Sequence, residues 1–118
     1  MTRSAVFHLD DALSRVDHDL EVFRTMVELF VEQGPQDLAQ VQAALASGDG
    51  AALACAAHRL KGALLQFCAP AALDTTKELE ALGKSGHIAA ARAVYARLEA
   101  ELPQLLAALR GFLAGEAA

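Results

Sequence analysis

A chain of 118 residues is the size of one domain and long enough to bury a single core. Its 54 % hydrophobic content leans on alanine, with five phenylalanines, one tyrosine and no tryptophan, a composition suited to closely packed helices. Ten Lys or Arg against fifteen Asp or Glu leave a net charge of -5, which on balance repels nucleic acid and anionic membrane surfaces.

No basic start runs into an apolar leader stretch, and no apolar run reaches about 18 residues, so a cytoplasmic location is expected and membrane spanning is not. The cysteines Cys55 and Cys68 would stand about 20 Å apart on a continuous helix, too far for a bridge within it. They read as reduced, small apolar residues.

Met1 to Ala5 show no period and are expected to fray, so residues 1–6 read as a flexible N-terminus and residues 7–115 as the domain. Asp10 can cap a short turn through Asp11, Ala12, Leu13 and Val16. Asp17 offers a second cap, after which Leu20, Phe23, Val27 and Phe30 recur at helical spacing, with Met26 and Leu29 widening the stripe. Gly34 and Pro35 predict a stop and a restart, because glycine accepts the geometry of a helix end and proline is tolerated at a first helical position. Leu38, Val41, Gln42 and Leu45 continue the pattern to Ser47.

Gly48, Asp49 and Gly50 form the next break, with Asp49 capping a helix from Gly50 to about Cys68. Pro70 restarts the chain into a helix carrying Leu73, Lys77, Leu79, Glu80 and Leu82, which ends near Gly83, and Gly86 closes the turn. From His87 onward Ile88, Ala91, Val94, Leu98, Leu102, Leu105, Leu109 and Phe112 define a long last helix, with Pro103 placed to bend it. The acidic pairs Asp10 with Asp11 and Glu78 with Glu80 read as helix capping and a solvated face. His8, His18 and His87 read as surface or capping residues. Connections this short favour antiparallel neighbours, so the expected fold is all-α: an up-and-down antiparallel four-helix bundle with a short additional N-terminal helix.

The informative stretch is Leu53 to Cys68. At about 100° per residue, with Leu53 at the origin, Ala57, Leu60, Leu64 and Phe67 all fall within about 40° of it, forming the buried face. His58 falls near about 140° and should reach solvent. Ala54 and Gly62 lie one turn to either side of it, Ala51, Cys55 and Leu65 complete that face, and Lys61 lies to one flank. Gly62 costs a helix interior about 1 kcal/mol relative to alanine, which implies that another molecule must approach the backbone there. A phosphoryl group on an imidazole brings a charge near about -2, and an ammonium within about 6 Å would offset it.

The run Ala57, His58, Arg59, Leu60, Lys61, Gly62, Ala63 resembles the signature of the histidine-containing phosphotransfer (HPt) domains of bacterial multistep two-component phosphorelays. The likeness extends over residues 7 to 113, with Asp49 opening the histidine helix and Leu79 and Glu80 matching a common pair in the following one. It implies that His58 is the phosphoacceptor, Lys61 the assisting cation and Gly62 the space for a docking receiver, with Ala54, Arg59, Leu65 and Gln66 around them as partner contacts. Family precedent points to Nε2, while the sequence leaves both ring nitrogens open. One departure is Cys68, which stands where the family often has a second glycine; Leu65 is another feature bearing on receiver choice.

The resemblance implies a phosphoryl carrier rather than a kinase. Its partners would be response-regulator receiver domains and a hybrid sensor histidine kinase, and it would act as a monomer. No nucleotide loop of the G-x-x-x-x-G-K type occurs, and no acidic cluster near His58 is placed to hold magnesium. No cofactor of its own is therefore expected, and magnesium belongs on the partner receiver. The opening methionine and the length predict a free-standing module. The alternative is a docking module that binds and regulates a kinase or receiver without carrying phosphate. A structural helical domain, or a metal carrier using His58, comes further behind: Ala54, Lys61 and Gly62 provide no second ligand.

Overall fold

In the computed structural model, which describes residues 6–115, five helices follow one another: α1 Leu9–Ser14, α2 Leu20–Ser47, α3 Gly50–Leu65, α4 Pro70–Ser85 and α5 Ile88–Leu113. The fraying expected for Met1 to Ala5 falls outside the described residues. Each of α2 to α5 packs on its neighbour in sequence, and α5 closes the ring against α2. Phe23, at the start of α2, stacks edge-on against Phe67 just beyond α3, at 6.0 Å, and against Phe112 near the end of α5, at 5.2 Å. At the opposite end, Arg92 near the start of α5 donates to the carbonyl of Leu45 at the end of α2, 2.9 Å away. Both α3 and α5 therefore run antiparallel to α2, as expected of an up-and-down bundle.

The core is a continuous cluster led by Phe23, Leu53, Leu60, Leu64, Phe67, Leu79, Leu98, Leu102, Leu105 and Leu109, all fully buried. Each such side chain contributes about 1.5–3 kcal/mol by leaving water, so this seam holds the bundle together. Helix α1 lies across one end, tied by the His8 amide donating to the Cys68 carbonyl at 3.1 Å and by the buried Ala12. No helix among the described residues is long and apolar enough to cross a membrane.

Several sequence expectations need correction. Helix α2 runs unbroken through Gly34 and Pro35. Gly34 is buried, and a Cβ on it would stand 3.2 Å from Phe30 Cζ and 3.3 Å from Leu106 Cδ2, so the glycine serves the contact with α5 rather than a helix end. Pro35 points outward and removes one backbone bond, which packing on either side of it outweighs. The cap of α2 is Asp19, which accepts from the amides of Glu21 and Val22. Asp17 and His18 have positive φ and so precede any helix. Asp10 lies inside the first turn of α1, whose N-cap position is His8.

Helix α3 stops at Leu65, after which Gln66 and Phe67 turn with i→i−3 bonds and Cys68 takes a φ of 52°. Helix α4 passes Gly83 and ends at Ser85, closed by Gly86 at φ 78°, and α5 continues through Pro103.

Candidate functional site

Asp49 starts α3 by accepting from the Ala52 amide at 3.0 Å, which fixes where the helix begins. Leu53, Ala57, Leu60 and Leu64 are then fully buried. With that seam inward, the His58 side chain faces out and is 70 % exposed. Helices α3 and α4 approach to backbone contact where Gly50, Ala54 and Gly83 meet: a Cβ on Gly83 would stand 2.8 Å from the Ala54 nitrogen and 2.9 Å from the Gly50 oxygen. His58 is one turn beyond Ala54, and Glu80 is one turn before Gly83. The close crossing therefore brings a glutamate of α4 up against the histidine of α3.

His58 Nδ1 lies 2.9 Å from Glu80 Oε2. Lys61 Nζ lies 2.7 Å from Oε1 of the same carboxylate, and Lys84 Nζ, one turn along α4, lies 3.4 Å from Oε2. The Glu80 side chain is only 8 % exposed. Hydrogen bonding from Lys61 outweighs the cost of burial and, helped by the His58 bond and the charges of both lysines, lowers the Glu80 carboxyl from 4.5 to about 2. Glu80 is thus ionised at neutral pH and can only accept hydrogen bonds. A neutral His58 ring must then carry its proton on Nδ1 and its lone pair on Nε2.

Gly62 is exposed, and a Cβ built on it meets nothing within 4 Å, so nothing inside the fold requires the missing side chain. Leu65 and Gln66 are exposed toward the end of α3, on the same side as Gly62. Arg59 is exposed and lines a surface groove of about 330 Å³ between α2 and α3, shared with Gln40, Ser47 and Cys55. Ala54 is half-buried at the edge of this face, its backbone under Gly83. Cys55 and Cys68 are both free thiols, Cys55 exposed. His8, His18 and His87 are exposed, and His87 Nδ1 lies 2.6 Å from the Ser85 hydroxyl.

Glu80 is the residue the sequence reading misplaced. Taken with Glu78 as part of a solvated face, it is buried, while Glu78 is exposed and pairs with Arg97. A signal was present: Ala72, Thr76, Leu79 and Gly83 form the buried stripe of α4, and Glu80 borders it. Lys84 carries no sequence signal toward His58, because its relation to that residue exists only once α3 and α4 cross.

A helical bundle that offers one imidazole nitrogen to solvent and backs the other with a buried carboxylate is a site suited to a histidine phosphotransfer protein. The Hpt domain model matches residues 25–111, most of the chain, and the protein belongs to that family. No curated protein matches the sequence significantly. Among solved structures, the HPT domain from the Hpt sensor hybrid histidine kinase of Shewanella is similar at 21 % identity and a TM-score of 0.85, covering 97 % of this chain and 98 % of its own. Histidine-containing phosphotransfer protein B (HptB) of Pseudomonas aeruginosa PAO1 is similar at 22 % identity and a TM-score of 0.86, covering 95 % and 97 % respectively. The function that goes with the family is histidine phosphotransfer in a phosphorelay.

Proposed function

We propose that His58 carries the phosphoryl group, on Nε2, between the aspartates of two receiver domains. The observation that carries this reading is the 2.9 Å contact between Nδ1 of an exposed histidine and a buried, ionised carboxylate. It keeps the proton on Nδ1 and directs the Nε2 lone pair outward.

In the forward step Nε2 attacks the phosphorus of a receiver phosphoaspartate. The N–P bond forms, the P–O bond breaks, and the aspartate leaves as a carboxylate. No proton has to leave Nε2, and Nδ1 keeps its proton and goes on donating to Glu80. The reverse step onto a second receiver follows the same path. The transition state for such transfer is loose, so positioning and charge neutralisation do most of the work. Lys61 adds positive charge beside the ring and holds Glu80 in its ionised form. The receiver supplies magnesium and its own lysine, and this chain acts as a carrier rather than a kinase.

Docking uses the open backbone at Gly62 together with Leu65, Gln66 and Arg59, with Ala54 at the margin. The partners are response-regulator receivers and a hybrid sensor histidine kinase, met by a cytoplasmic monomer.

Incubation with a phosphorylated receiver and magnesium is expected to leave an acid-labile, base-stable phosphate on this chain. His58→Gln should abolish the label while the helical circular dichroism stays unchanged. Label that survives this substitution would overturn the assignment.

A further inference from the structure

The two lysines on Glu80 are not equivalent. Lys61 Nζ sits 2.7 Å from Oε1 and its side chain is 24 % exposed, whereas Lys84 Nζ sits 3.4 Å from Oε2 and its side chain is 69 % exposed. Lys84 also shares its oxygen with the imidazole, since His58 Nδ1 bonds to Oε2 as well. One carboxylate faces two ammonium groups, so the cluster around a neutral His58 carries a net charge of +1. One cation is therefore more than Glu80 requires, and the longer, more exposed contact identifies it as Lys84.

We infer that Lys84 is the mobile cation of the site: it rests on Glu80 beside the unphosphorylated ring and moves onto the phosphoryl group once His58 is charged, while Lys61 stays behind to hold Glu80. The inference rests on His58 as the phosphoacceptor and adds a residue that the motif around His58 does not contain, supplied by the neighbouring helix.

Magnitudes favour the move. A carboxylate contact made by a largely exposed lysine at 3.4 Å is weak, because water screens the ammonium and a long side chain loses freedom by making it. A phosphoryl group has up to about twice the charge of the carboxylate and three acceptor oxygens. It would stand across the ring from Nδ1, and the 69 % exposed side chain of Lys84 is free to swing from Glu80 toward it. Lys61, shorter in contact and better buried, has more to lose by leaving Oε1. Arg59 projects from the other flank of α3 into the α2–α3 groove and does not compete for this position.

The test uses the full chain, charged with phosphoramidate so that receiver docking plays no part. In this step Nε2 attacks phosphorus, the P–N bond of phosphoramidate breaks and ammonia leaves. The 31P resonance of the phosphohistidine is then followed against pH for the unaltered protein, Lys84→Gln and Lys84→Arg. A cation beside the phosphoryl group disfavours the protonated form of the phosphohistidine, whether the proton sits on a phosphoryl oxygen or on Nδ1, so removing the cation should raise the titration midpoint.

The expected result for Lys84→Gln is a midpoint higher by about half a pH unit at about 50 mM salt. That difference should shrink at about 500 mM salt, and Lys84→Arg should restore the original midpoint. An unchanged midpoint in Lys84→Gln, with His58 normally labelled, would overturn the role of Lys84 alone. So would a displacement that is insensitive to salt or not rescued by arginine, since that indicates a structural effect. Failure of the unaltered protein to take label on His58 would overturn the phosphoacceptor reading and this inference together.

Discussion

Gly83 lies against Ala54 so closely that a single added methyl group would press 2.8 Å from the Ala54 nitrogen, and the obstruction is backbone rather than a movable side chain. Glycine is therefore kept in the interior of α4 despite the roughly 1 kcal/mol it costs relative to alanine. Gly83→Ala should lower stability by about 2 kcal/mol in chemical denaturation, the overpacking cost exceeding the gain in helix propensity. It should also part α3 from α4 and lengthen the His58–Glu80 bond, seen as a loss of the single Nδ1–H tautomer in 15N spectra of the ring. An alanine variant as stable as the original chain would show that the crossing has room to spare.

Glu80 makes the pH dependence of stability specific. In the folded protein its carboxyl is held down to about 2, while in the unfolded chain it returns to the ordinary 4.5. The stabilising effect is present in full above pH 4.5 and is lost as the pH falls from there toward about 2. Its size is at most about 3 kcal/mol. Denaturation midpoints measured across this range should fall steeply in the original protein. Glu80→Gln should be less stable near neutrality and should lack this component of the acid loss. Parallel curves for the two proteins would contradict the carboxylate's role.

The histidine face was legible in the sequence because it depends on one helix alone. The 100° advance per residue places Leu53, Ala57, Leu60 and Leu64 inward and His58 outward whatever else the chain does, and all four are buried. Bundle topology was legible for a related reason, since short connections leave antiparallel packing as the available arrangement. Gly34 and Gly83 lie inside helices, whereas Gly86 ends one. Glycine marks a helix end through its backbone freedom, yet it also marks a place where two helices touch, and only the neighbouring element distinguishes the two. Glu80 meets His58 across such a contact, with Lys84 joined to it by an i,i+4 pair on α4, so no spacing within α3 could reveal either beside the histidine.

Cys68 holds a φ of 52°, a left-handed conformation that costs an ordinary L-residue about 1 kcal/mol and a β-branched one more. It occupies the turn between α3 and α4, where its carbonyl also accepts from the His8 amide. Cys68→Val should therefore destabilise the protein by about 1–2 kcal/mol. Cys68→Gly should remain close to neutral, since relief of backbone strain offsets the lost packing of a half-buried side chain. Thermal denaturation of the two variants decides the point, and a valine variant at least as stable as the glycine one would show that burial dominates here.

Gly62 offers the sharpest separation of stability from function. A Cβ added there would have nothing within 4 Å of it, so the fold itself gains nothing from glycine at this position. Gly62→Ala should therefore raise stability by about 1 kcal/mol through helix propensity alone. Gly62→Gln should also fold at least as stably as the original chain, yet place a long side chain one turn from His58 on the face where a receiver must seat. Initial rates of phosphotransfer from a receiver should fall for Gly62→Gln, whereas labelling by phosphoramidate, which needs no docking, should be unaffected. Equal rates with the receiver would mean that the open backbone at Gly62 is not where the partner comes closest.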